Sequence, residues 1–188
     1  MDAQKERLRQ ILLIKSYEQR PVVLASGKTS DFYIDCRQTT LDSEGIVLSG
    51  LLLWDLIQSS VRKVDAVGGP TLGADPLVCA VSVVSTLKGR PRPAFLVRKE
   101  AKNHGTRAWI EGDKSLGPGM QVVLLEDVIT SGESVLKAVS KVEEAGLNVS
   151  LICALVDREE GGADKIRDRG YRFMPLFTKT ELLKGSAS

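Results

Sequence analysis

VVLLEDVITSGES, residues 122–134, decides how the rest of the chain is read. Val122, Val123, Leu124 and Leu125 form a short continuous apolar run with β-branched members, the pattern of a strand buried on both faces. Glu126 and Asp127 follow where that strand is expected to end. Thr130, Ser131, Gly132 and Ser134 are small and mostly hydroxyl-bearing, and Val135, Leu136, Val139 and Val142 then recur at helical spacing. A strand, a small-residue turn and a helix start together make an anion site. Turn amides converge on one spot, the helix N-terminus adds partial positive charge, and hydroxyls donate further hydrogen bonds. Acids beside such a site suit a ligand that carries both a phosphate and hydroxyl groups. A βα turn with an acidic cap uses the same residue types. The stretch is neither a Walker loop, since no Gly-Lys-Ser/Thr follows the glycine, nor a GxGxxG dinucleotide turn.

Composition narrows the class. A chain of 188 residues, 43% hydrophobic and 27% charged, suits one soluble globular domain over residues 1–188. A net charge of +2 is too weak for a nucleic-acid surface, so any basic function is local. Cys36, Cys79 and Cys153 are far apart with no CxxC, which argues against a zinc site or a disulfide framework. Cys79 and Cys153 sit in apolar runs and read as buried thiols. The start, MDAQKERLRQILL, lacks a signal-peptide core, and no apolar stretch reaches membrane-spanning length. A cytoplasmic protein that binds neither nucleic acid nor membrane is expected.

Outward from the opening stretch, residues 3–16 place Leu8, Ile11 and Leu12 at helical spacing. The segment VVLASGKTSDFYIDCRQT is strand-like at both ends around Ser26-Gly27-Lys28. Residues 43–61 carry an apolar helical stripe (Ile46, Leu53, Ile57, Val61) with Ser43 as a plausible cap. Strands are expected at residues 64–68, 94–97, 151–156 and 173–177, with helices over 74–88, after 134, before Gly170 and over 179–183. The first of these strands ends in Gly69-Pro70-Thr71-Leu72-Gly73, a turn that lets a ligand approach the backbone closely. After residue 97 comes RKEAKNHGTRAWIEGD, where Arg98, Lys99, Lys102, Arg107 and His104 crowd a segment bounded by Gly105 and Gly112. Charge runs are usually solvated loops, but this one follows a strand at the edge where ligands collect. Asp157-Arg158 closes the 151–156 strand, and an arginine there can grip a carboxylate bidentately. The tail, residues 185–188, is expected to be disordered. Alternating strands and helices imply an α/β fold around a mainly parallel sheet. The functional loops near 70, 127 and 158 all follow strand C-termini, the usual ligand edge.

The stretch 122–134 resembles the phosphoribosyl pyrophosphate (PRPP) motif of type I phosphoribosyltransferases. The Arg-Lys-x-x-Lys-x-His-Gly pattern, the Ser-Gly-basic-x-Ser stretch with its aromatics, and Asp157-Arg158 are similar to segments of the orotate phosphoribosyltransferases. The resemblance covers essentially the whole chain. It implies a type I phosphoribosyltransferase fold with an N-terminal hood over about residues 1–40. It also implies transfer of the phosphoribosyl group from PRPP to orotate, yielding orotidine 5'-monophosphate and pyrophosphate, a step of pyrimidine synthesis.

By the same resemblance Lys102, His104, Glu126 and Asp127 are the catalytic group. PRPP is held by Thr71, Arg98, Lys99, Lys102 and His104, by the acids Glu126 and Asp127, and by Val128, Ile129, Thr130, Ser131, Gly132, Glu133 and Ser134. Orotate meets Lys28, Phe32, Tyr33, Thr130 and Arg158. Mg²⁺ arrives with PRPP and has no direct protein ligand. Two departures stand out: Ala25 occupies a position that is often lysine in the family, and so does Leu72. A homodimer with shared active sites is expected, the 98–112 loop reaching into the partner. Two alternatives stay open, another acceptor base and a PRPP-sensing regulator.

Overall fold

The computed structural model describes residues 3–23, 29–100 and 109–184, and no side chain of 22–31. Helix α1 (Ala3–Lys15) leads into a hairpin, β1 (Tyr17–Val23) and β2 (Thr29–Ile34), followed by α2 (Arg37–Thr40) and α3 (Ser43–Ser60). Then come β3 (Ala66–Pro70), α4 (Asp75–Leu87), β4 (Ala94–Val97), β5 (Ile110–Glu111) and β6 (Gln121–Ile129). The chain finishes with α5 (Glu133–Glu144), β7 (Asn148–Asp157), α6 (Gly162–Asp168), β8 (Phe173–Thr178) and α7 (Lys179–Leu183).

Six strands form the main sheet in the order β5-β4-β3-β6-β7-β8. All are parallel except β5, which runs antiparallel to β4. Parallel neighbours need crossover connections, and α4, α5 and α6 supply them. β6 lies near the centre and shows why a continuous apolar run was needed. Val123 and Leu125 join the core on the face shared with α1, α3 and α4. Val122 and Leu124 join the opposite core, shared with α5 and α6. All four are fully buried, each contributing about 1.5–3 kcal/mol of transfer free energy before chain entropy is subtracted.

The structure corrects several expectations. β6 does not stop before the acids; it pairs with β7 as far as Ile129 opposite Asp157. The apolar signal ends at Leu125, but the ladder continues because β7 is long enough to pair with it. β3 lies two residues later than expected at both ends, which brings Gly69 and Pro70 inside the strand beside Gly68. A Cβ on Gly68 would stand 2.3 Å from the Phe95 ring, so the position must be bare. The cap of α3 is Asp42, whose carboxylate accepts from the amides of Glu44 and Gly45 at 3.2 and 2.9 Å; Ser43 is the first helical residue. Cys153 is buried, but Cys79 is exposed: α4 turns Leu77, Val78, Val81 and Val84 inward, and Cys79 lies off that face. The two-residue strand β5 is too short to leave a periodicity in the sequence.

The hairpin and α2 stand over the C-terminal edge of the sheet. Phe32 is buried against Tyr17, ring centroids 5.2 Å apart, which ties the hairpin to the core. The tip of the hairpin (24–28, with Lys28), the segment 101–108 (with Lys102 and His104) and the tail 185–188 lie outside the described residues. No described helix is long and apolar enough to cross a membrane.

Candidate active site

A cavity of about 370 Å³ opens where the C-terminal ends of the parallel strands meet the exit of the hairpin. β6 and the start of α5 contribute Glu126, Asp127, Val128, Thr130 and Ser134. The β3–α4 loop contributes Thr71, Leu72 and Gly73, β4 leads to Lys99, and β7 leads to Arg158. Tyr33, Ile34, Asp35 and Arg37 close the side. Residues as far apart in the sequence as Tyr33 and Arg158 thus share one concavity, as the edge rule for parallel sheets predicts.

The acid pair is the electrostatic centre. Glu126 is almost fully buried, and burial together with the charge of Asp127 holds its carboxyl well above the usual range. Ser134 hydrogen-bonds to Glu126 and opposes that shift. Burial also raises Asp127, against a hydrogen bond from Glu126, the Val128 amide on its Oδ1 at 2.9 Å, and the charge of Arg37. Neighbouring carboxyls disfavour ionising together, and Glu126 is the more strongly raised of the two.

Around it, Gly132 takes a left-handed φ of 73° at the N-cap of α5, which lets the chain turn sharply from β6 into the helix. Gly73 presses on Asp127 so closely that a Cβ there would meet Oδ1 at 2.5 Å. The Thr71–Leu72 peptide beside it is cis. Arg158 is buried, donates from Nη2 to the Phe32 carbonyl at 2.8 Å, and pairs with Glu160 at 2.9 Å. Its buried Nε has no hydrogen-bond partner among the described residues. The arginine is held through Nη2, with its Nε donor to spare.

Thr71, Lys99, Glu126, Asp127, Val128, Thr130, Ser134, Tyr33 and Arg158, all singled out from the sequence, come together in this cavity. Others do not. Phe32 is buried, and what it offers is its carbonyl to Arg158. The Ile129 side chain lies in the core, and Ser131 and Gly132 do not line the cavity. Glu133 pairs with Lys165. Arg98 is turned to a neighbouring cleft of about 450 Å³, tied to Glu111 at 2.6 Å and to the Glu100 carbonyl. β5 supplies Glu111, so the unforeseen strand is what draws Arg98 away. Asp35, Arg37 and Ile34 line the cavity and were not foreseen, whereas Leu72 and Gly73 lie in the turn already marked for close approach of a ligand. An Asp-x-Arg directly after an aromatic strand was a readable signal for the first two.

Residues 47–172 match the family model described as phosphoribosyl transferase domain. An orotate phosphoribosyltransferase of Sorangium cellulosum is 49% identical over 181 residues, covering 96% of this chain and 94% of that one. The chain belongs to the orotate phosphoribosyltransferase family. An orotate phosphoribosyltransferase of Aquifex aeolicus is 43% identical, with 96% of this chain and 98% of the relative covered. Among solved structures, the orotate phosphoribosyltransferase of Mycobacterium tuberculosis in complex with Fe(III) dicitrate superposes with a TM-score of 0.83 at 36% identity, covering 95% of this chain and 98% of that one. The same enzyme in complex with PRPP gives 0.78 at 33% identity, with the same coverage of both chains. The fold is that of the type I phosphoribosyltransferases.

Proposed function

We propose that the chain transfers the 5-phosphoribosyl group from PRPP to orotate, releasing orotidine 5'-monophosphate and pyrophosphate. The observation that carries this reading is the buried, anchored Arg158 with a spare Nε, sharing one cavity with a phosphate-type loop and the Glu126–Asp127 pair. Orotate needs a fixed cation for its carboxylate, and PRPP needs the rest.

The amides and hydroxyls of 130–134, at the start of α5, receive the 5'-phosphate, assisted by the helix dipole. Asp127 accepts from the ribose hydroxyls, with neutral Glu126 behind it as a hydrogen-bonding brace. As the bond from C1 to pyrophosphate lengthens, C1 gains oxocarbenium character, and the Asp127 charge nearby stabilises it. The backbone of 71–73, Thr71 and Lys99 meet the departing pyrophosphate, and Lys102 and His104 extend that cationic side. Arg158, Thr130, Tyr33 and Lys28 orient orotate so that its ring nitrogen faces C1. Residues up to about 40 act as the hood that keeps water from the cation.

Magnesium fits as an ion carried by the substrate. Magnesium usually keeps several waters and binds through substrate phosphates, so PRPP oxygens and waters are its natural ligands. When bound, it offsets charge on the pyrophosphate.

A homodimer fits the surface of α4. Cys79, Val83 and Leu87 recur every four residues on one exposed stripe, with Val83 59% and Leu87 80% accessible, and Leu72 is exposed as well. A second copy is the occupant this reading assigns, with Lys102 and His104 delivered to the partner's site. Mixing Lys102→Ala with Asp127→Asn tests it. Random exchange makes about half the dimers mixed, each with one intact site, and restores roughly a quarter of normal activity. No recovery after demonstrated subunit exchange would refute shared sites. The reaction itself is tested by the absorbance loss of orotate with PRPP and Mg²⁺, with uracil and a purine base as comparators. Turnover of a comparator in preference to orotate would overturn the assignment.

A further inference from the structure

Among the described residues Glu159 alone, glycines aside, has a left-handed backbone, with a φ of 58°. A side chain in that region costs free energy and persists only where its surroundings hold it, which is why such residues gather at functional sites. Glu159 directly follows Arg158, the residue read above as the grip for orotate. The bonds that hold it are short. Its amide donates to Asp157 Oδ1 at 3.0 Å, and its own Oε2 accepts from the Thr180 amide at 2.7 Å and from the Thr180 hydroxyl at 2.6 Å.

These contacts close a ring around the arginine. Lys179, next to Thr180 on α7, places Nζ 5.0 Å from the centroid of the Phe32 ring. Phe32 gives its carbonyl to Arg158 Nη2 at 2.8 Å, and the guanidinium carbon of Arg158 lies 5.5 Å from the same ring centroid. Beyond the left-handed residue, Glu160 comes back to Arg158 Nη2 at 2.9 Å. Arg158 is thus framed by the hairpin, by its own turn and, through Glu159, by α7. The helix has no need of this tie for itself. Thr178 and Glu181 form its capping box, Leu182 is fully buried, and Arg9 Nη1 donates to the Leu182 carbonyl at 2.8 Å. The clasp therefore acts on the turn after Arg158.

We propose that Glu159, clasped by Thr180, is a positioning residue that fixes the turn presenting Arg158 Nε to the carboxylate of orotate. Phe32 and Glu160 already occupy Nη2, so what the arginine offers a ligand depends on where its backbone sets the edge that carries the unpartnered Nε. The inference rests on the orotate reading of the cavity.

The test is steady-state kinetics with both substrates, with thermal unfolding to verify that each variant is folded. Glu159→Ala should raise KM for orotate by about 3- to 10-fold, the factor carried by one net hydrogen bond, and leave KM for PRPP within about twofold of wild type. Glu159→Gly suits the left-handed backbone but lacks the clasp, so it should show the same rise. Glu159→Gln keeps an acceptor and should show less. Thr180→Val lies on another element and removes only the hydroxyl; it should raise KM for orotate in the same direction, and it decides the matter if the Glu159 variants do not fold. In Arg158→Ala, adding Glu159→Ala should raise KM for orotate no further, a non-additivity that a merely structural tie would not give. Folded Glu159→Ala and Thr180→Val enzymes with a wild-type KM for orotate overturn the proposal. An equal rise in both KM values overturns it too, since the cavity as a whole would then be distorted. Wild-type protein that leaves orotate unconsumed overturns the orotate reading and this inference with it, a result distinct from every comparison among the variants.

Discussion

Replacing Gly73 by alanine adds a single methyl at the point where the β3–α4 loop touches the acid pair. That Cβ would sit 2.5 Å from Asp127 Oδ1 and 2.6 Å from Cγ and Oδ2. Favourable contact between non-bonded atoms begins near ~3.5 Å, so the carboxylate or the loop must retreat by roughly 1 Å. Gly73 is absent from the positive-φ residues, so alanine meets no backbone penalty of its own. The perturbation is confined to the contact.

Two consequences follow with different sizes. Moving the carboxylate weakens its 2.9 Å bond from the Val128 amide, which is worth about 0.5–1.5 kcal/mol net. Stability should fall by no more than that. Misplacing a group that acts in the transition state by ~1 Å costs on the order of 100-fold in rate. Gly73→Ala should therefore lower kcat by about 10- to 100-fold with a melting temperature close to wild type. Orotate absorbance gives kcat and both KM values, and thermal unfolding gives stability. A folded Gly73→Ala protein within twofold of wild-type kcat/KM would show that Asp127 does not act from the position described.

Asp127→Asn should cost about 3 kcal/mol in the barrier, close to 100-fold in kcat, with little loss of stability, as stopped or continuous orotate assays will register. Arg158→Ala should raise KM for orotate by on the order of 30-fold or more, and should leave KM for PRPP nearly unchanged. It should also lower the melting temperature, because Glu160 and the Phe32 carbonyl lose their donor. Glu126→Gln should be stabilising, increasingly so at higher pH. An acid raised on folding adds stability below its unfolded value and loses it as pH rises through the folded one, by about 1.4 kcal/mol per unit of separation. Melting curves of wild type and Glu126→Gln should therefore diverge from the ordinary carboxylate range upward; parallel curves would mean that Glu126 is ionised in the fold.

The fold was legible where one residue pattern had one outcome. Val122, Val123, Leu124 and Leu125 could only be buried on both faces, and that implied crossovers and a parallel sheet. What escaped were features set by a neighbour. β6 runs through Glu126 and Asp127 because β7 offers a partner as far as Asp157, and no local signal announces that. β5 is two residues held by β4. Cys79 looked apolar in context, yet its exposure depends on which face of α4 meets the sheet.

The site divides along the same line. Thr71, Lys99, Asp127, Thr130 and Arg158 were singled out through the resemblance to the orotate phosphoribosyltransferases, and the fold brings them to one cavity. Charge state was not readable. Whether Glu126 and Asp127 bring two charges or one depends on how deeply β6 is covered, and Glu126 is covered from the side of α5 by Ser134 as well as by the sheet. Once Glu126 is neutral, the cavity has a single anion with which to meet a cationic centre. The orientation and charge of that anion then become the quantities the rest of the cavity must control. Gly73 bears on the first by contact, a role that could not be inferred before its distance to Asp127 was known.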